Sequence, residues 1–108
     1  MTEQQLKKLI LDYLTTKGHF VWTNNSGFSI KEYTTKDGTT HKRAWRAGKV
    51  GGSDIIGVEK GTGRFIVIEC KVGRNTVTPE QRDFLNEIKR KGGLALVAYS
   101  LEDVQKWF

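Results

Sequence analysis

The segment RFIVIECKVG, residues 64–73, limits what this chain can fold into more than any other. Phe65, Ile66, Val67 and Ile68 form an unbroken apolar run rich in β-branched residues, the pattern of a strand buried on both faces. Such a strand belongs inside a sheet with helices packed against it. Yet it ends in Glu69 and Lys71, which alternation places on one face while Cys70 points to the other. Charge at the end of a core strand demands a reason.

The flanking patterns supply the other elements. Residues 2–17 read as a helix, with Leu6, Leu9, Ile10, Tyr13 and Leu14 in one apolar stripe. Thr2 with Gln5 forms its capping box and Gly18 its stop. HFVWT (19–23) is a short strand, and Asp37-Gly38 signals a type I′ hairpin turn within 24–50. SDIIGVE (53–59) is a strand joined by the tight turn KGTG to the strand at 64–71. Thr78-Pro79-Glu80-Gln81 combines an N-cap, a proline at the first helical position and a capping-box partner. That helix carries Phe84, Leu85 and Ile88 on its apolar side and stops at Gly92-Gly93. LALVAYS (94–100) is a strand, and Ser100 caps a terminal helix carrying Val104, Trp107 and Phe108. The order is α-β-(hairpin)-β-β-α-β-α. The expected fold is α/β, a single domain over 1–108 with a mixed β-sheet flanked by helices.

Eighteen Lys and Arg against twelve Asp and Glu leave a net charge of +6, which favours a polyanionic partner, nucleic acid before an acidic membrane surface. One cysteine allows no internal disulfide, and no His/Cys cluster suggests structural zinc. No run reaches the ~18 apolar residues of a membrane span. The opening MTEQQLKKLI is no signal peptide, so the cytoplasm is the expected location. AGKVGGS (47–53) lacks the spacing of a phosphate-binding P-loop, so no nucleotide cofactor is expected. His19 and His41 have no partners at ligand spacing and read as structural or exposed.

Asp54 lies near the start of the strand preceding Glu69, across a short turn, so pairing register can bring the two carboxylates together with Lys71. Neighbouring carboxylates repel unless one is protonated or a cation lies between them. Hard oxygen ligands of this kind suit Mg²⁺ or Mn²⁺, and a bound metal would acidify water and offset charge developing on a phosphate. Lys71, a compact cation, could hold the attacking water or a phosphoryl oxygen. The competing reading is a solvated strand end with a marginal salt bridge. Upstream, Lys42, Arg43, Arg46 and Lys49 surround Trp45, a pattern suited to phosphate contact with base stacking, or else to a solvated loop. Cys70 should face the core, where burial disfavours the thiolate.

Together GGSDIIG (51–57), IECK (68–71) and TPEQRDF (78–84) resemble the PD-(D/E)xK nuclease superfamily, and within it the virus-type replication-repair nuclease (VRR-NUC) branch. The resemblance implies a restriction-endonuclease-like α-β-β-β-α-β core and a DNA endonuclease dependent on Mg²⁺ or Mn²⁺. Carried over, Asp54 and Glu69 resemble the metal-binding carboxylates, Lys71 the catalytic lysine, and the Cys70 carbonyl a further metal ligand. Gln81 resembles the helix glutamine near the site, and Glu3 the first-helix acid that supports the metal through water. Ser53 stands where the superfamily name has proline. Short stand-alone members imply a homodimer that cuts branched DNA such as a Holliday junction in a phage or bacterial host cytoplasm. The alternative is a catalytically inactive nucleic-acid-binding module of the same fold.

Overall fold

A computed structural model describes residues 1–24, 28–46 and 53–108, with the backbone alone at 28–33 and 41–46. Helix α1 (Glu3–Thr16) begins at a complete Thr2–Gln5 capping box and buries Leu6, Ile10 and Leu14. Leu9, expected in this stripe, is exposed, because the helix packs on the sheet through a narrower i, i+4 seam. Strands β1 (Phe20–Thr23), β4 (Ile55–Val58), β5 (Phe65–Cys70) and β6 (Leu94–Ala98) form one mixed sheet in the order β1-β4-β5-β6. β5 pairs antiparallel with β4 and parallel with β6. The parallel pair requires a crossover, supplied by α2 (Pro79–Arg90). α2 opens with the Thr78–Gln81 capping box and closes where Gly92, at φ +93°, and Gly93 bond back to the Lys89 and Ile88 carbonyls. α3 (Leu101–Gln105) is capped by Ser100. It ends before Trp107, which is exposed, whereas Phe108 folds back against the core.

Strands β2 (Phe28–Thr34) and β3 (Thr40–Arg46) form a separate two-stranded hairpin. Its turn differs from the expected type I′. Among the described residues only glycines have positive φ, so Asp37 does not adopt the left-handed conformation that type I′ requires of both central residues. Instead the Gly38 N–H bonds to the Thr35 carbonyl, the Thr35 N–H bonds to the Thr39 carbonyl, and Gly38 takes φ +84°. This is a three-residue loop built on a type I turn and a glycine bulge, held by Asp37 accepting from the Thr39 N–H.

Alternation along β5 divides the core. Ile66, Ile68 and Cys70 pack with Leu6, Ile10 and Leu14 of α1 and Val104 of α3, whereas Val67 packs with Leu85 of α2 and Ala95 of β6. Residues Ile66 to Cys70 are all buried, as a strand covered on both faces should be. Among the described residues no helix is long and apolar enough to cross a membrane.

Candidate active site

The antiparallel register sets Ile55 opposite Ile68, so one step further Asp54 comes opposite Glu69. Asp54 then extends the ladder with its side chain: Oδ2 accepts the Cys70 N–H at 2.8 Å. Its Oδ1 faces Lys7 Nζ of α1 at 3.9 Å. Glu69 and Lys71 share the α2 side of β5, with Lys71 Nζ 3.8 Å from Glu69 Oε1. The same oxygen accepts from Gln81 Nε2 at 3.0 Å. Gln81 can reach it because Thr78 starts α2 beside this end of the sheet.

Glu69 is only 3% exposed, and its Oε2 is buried without a hydrogen-bond partner. A solvated strand end is therefore excluded. Burial, followed by repulsion from Asp54, pushes the Glu69 carboxyl up to about 8, with Lys71 opposing and Glu3 adding slightly to the rise. An unsatisfied carboxyl oxygen beside a second carboxylate suits a small divalent cation that takes one or two carboxylates and keeps its waters. Among the described residues no three His, Cys, Asp or Glu side chains gather into a cage that could hold a metal ion. Asp54 and Glu69 nevertheless fit Mg²⁺ or Mn²⁺, which do not require one.

The family model of the VRR-NUC domain matches residues 1–102 of the 108-residue chain. The chain belongs to the VRR-NUC family. A comparison with curated proteins returns no match. VRR-NUC membership makes this a nuclease-type domain.

Within this VRR-NUC domain, Asp54, Glu69, Lys71 and Gln81 converge directly. Glu3 sits in the first turn of α1, near enough to act on Glu69, and its Oε1 accepts from Asn75 Nδ2 at 3.1 Å. The Cys70 side chain lies on the other face of β5, where burial, with a smaller contribution from the two carboxylates, pushes its thiol up to about 12. That removes it as a nucleophile. Lys42, Arg43, Trp45 and Arg46 fall on β3, so the segment is a strand and not a loop, while Lys49 lies outside the described residues. His41 also falls on β3, and His19 accepts the Lys60 N–H through Nδ1 and packs edge-on against Phe108, a structural role.

Three residues at this end of the fold were not singled out in the sequence. Lys7 faces Asp54, and its i, i+4 spacing from Glu3 was the available signal. Asn75 ties the loop before α2 to Glu3, and Tyr99 donates its hydroxyl to the Asn75 carbonyl at 3.0 Å. Neither carries a local sequence signal, since both act across distant parts of the chain.

Proposed function

We propose that this VRR-NUC domain is an Mg²⁺- or Mn²⁺-dependent endonuclease acting on branched DNA, with the Holliday junction as preferred substrate. The observation that carries the reading is Glu69, a buried carboxyl with one unpartnered oxygen, set against Asp54 and Lys71 at the end of a core strand. Burying the Glu69 carboxyl beside Asp54 is costly for structure alone, because Glu69 loses its water and, when ionised, is repelled by Asp54.

Asp54 and Glu69 would hold the metal, which when bound supplies charge to offset the developing negative phosphate and to acidify water. The chain's own groups do the positioning. The Cys70 N–H and Lys7 orient Asp54, and Gln81 holds Glu69 in place. Lys71, tethered near Glu69, is the cation able to orient a water or contact a phosphoryl oxygen. Glu3, fixed by Asn75, is the further acid at the rim. The basic run on β3, with Lys49 after it, would supply phosphate contacts.

The junction preference rests on the likeness to short stand-alone members of the family. Paired incisions across a two-fold junction need two sites related by a two-fold axis, and the described residues of one chain bring together one such set, which favours a homodimer. The test is cleavage of linear, flap and four-way-junction DNA with Mg²⁺, Mn²⁺ or EDTA. Glu69→Gln and Lys71→Ala should each abolish cleavage while DNA binding stays within a few-fold. Cleavage in EDTA, or wild-type rates from either variant, would end the metal-nuclease reading. Binding without turnover in every metal would favour the inactive module.

A further inference from the structure

Among the described residues, the face of the sheet that carries Glu69 is covered by α2 over β5 and β6 and is more open over β1. α2 packs on β5 and β6 through Leu85, against Val67 and Ala95. On β1, Val21 belongs to the opposite core, so alternation turns Phe20 and Trp22 to the Glu69 side. There Phe20 is 72% exposed and Trp22 40%. Their ring centroids lie 5.2 Å apart with the planes tilted by 55°, so the rings support each other without closing off their outer faces.

This aromatic pair stands in register with the candidate site. Trp22 pairs with Ile56, which pairs with Val67, forming one cross-strand row. The next row toward the site holds Asn24, whose N–H bonds to the Asp54 carbonyl at 2.8 Å, then Asp54 and Glu69. Two residues along a strand span about 7 Å. Trp22 is therefore one row from the carboxylates and Phe20 one row beyond.

We propose that Phe20 and Trp22 form a stacking platform for unpaired nucleobases, placed to hold the nucleotides beside the phosphate that the site engages. The proposal rests on the nuclease reading of Asp54 and Glu69 and specifies what such a site would grip in branched DNA: a strand whose bases are unpaired or splayed at the branch. Two observations favour nucleic acid over a protein partner. The platform is continuous with the candidate active site along the same strands and lies one row from it, so a strand held at one can reach the other. The chain is also cationic overall, with Lys71 at the site end and exposed Lys60 at the β4–β5 turn. Aromatic faces on a cationic chain suit bases and phosphates. Paired bases within a duplex keep their faces stacked and hidden, so an intact blunt duplex cannot use the platform.

The test is binding by the full chain, in chelator, of a labelled single-stranded oligonucleotide and a blunt duplex of equal length, followed by fluorescence anisotropy. Trp22→Ala should weaken single-strand binding by roughly five- to a hundred-fold and leave the duplex unchanged, with Trp22→Phe recovering most of the loss. Phe20→Ala, at a more exposed position, should act in the same direction without loss of folding. Equal weakening on both DNAs, or none on either, overturns the platform. So does a shift from dimer to monomer in sedimentation with Trp22→Ala, which would assign the surface to a second copy of the chain. Because no turnover is needed, the two readings fail separately. A protein that cuts nothing yet loses single-strand preference with Trp22→Ala overturns only the nuclease reading. Normal cleavage with unaltered single-strand binding overturns only the platform.

Discussion

Gln81 joins the start of α2 to Glu69. Its Oε1 accepts the Thr78 N–H at 2.9 Å while its Nε2 donates to Glu69 Oε1 at 3.0 Å. The capping box thereby fixes which end of the amide faces the carboxyl, and one side chain serves both helix and site. Gln81→Glu keeps an oxygen for the cap but removes the donor and adds a third acid beside a buried one. It should destabilise the chelated protein by about 1–2 kcal/mol, more at high pH than at low. Urea unfolding at pH 6 and pH 9 checks this. A variant as stable as wild type would show that the bond does not hold Glu69 in place.

The buried carboxyl also sets a pH dependence. Glu69 binds its proton more tightly when folded, at about 8, than at the ordinary value of 4.5. Its contribution to stability is thus fully present below about 4.5 and is lost as pH rises through about 8. Wild type in chelator should lose stability over that window relative to Glu69→Gln. Asp54→Asn keeps an acceptor for the Cys70 N–H and removes the repelling charge, so its profile should be flatter and its advantage greatest above pH 8. Millimolar Mn²⁺ should stabilise wild type and do little for Asp54→Asn. Thermal melts across pH, with EDTA or Mn²⁺, measure all of this. A metal-blind wild type with no slope relative to Glu69→Gln would contradict it.

Cys70 offers a probe of the opposite face. With its thiol pushed up to about 12 by burial, almost no thiolate exists at pH 8. Iodoacetamide should therefore label the native protein only as fast as the chain opens, and label it promptly in urea. Rapid native labelling would mean that the α1–α3 side of the sheet is more open than the packing around Ile66, Ile68 and Cys70 indicates.

The basic segment on β3 gives a salt-dependent prediction. Replacing Lys42, Arg43 and Arg46 with alanine should weaken DNA binding and flatten its log–log salt dependence. The slope should fall by roughly one unit for each phosphate that the variant no longer neutralises. An unchanged slope in salt titrations would remove these residues from the interface.

The sequence alone determined the elements and the chemistry of their ends. Thr2–Gln5, Thr78–Gln81 and Ser100 are local caps, and the backbone groups they satisfy lie within three residues, so the pattern suffices to place the helices. The run Phe65–Ile68 likewise announced a core strand, and the alternation of Glu69, Cys70 and Lys71 was set by strand geometry. Where the signal was shared among conformations, local reading went astray. Asp37-Gly38 suits more than one hairpin turn, and the type I turn with a glycine bulge prevailed through the hydrogen bonds between Thr35 and Thr39.

Tertiary structure decided everything that depends on register and coverage. The pairing of β4 with β5 brings Asp54 level with Glu69, and packing of α2 buries that carboxyl and raises its proton affinity. Lys7, Asn75 and Tyr99 join the site only because α1, the segment before α2 and the segment after β6 meet at one end of the sheet. The same coverage leaves Phe20 exposed and Trp22 partly so, although their sequence reads like any short apolar strand. Burial and electrostatic coupling are properties of distances between chain segments, and a linear pattern specifies only the residues that will meet, not how near they come.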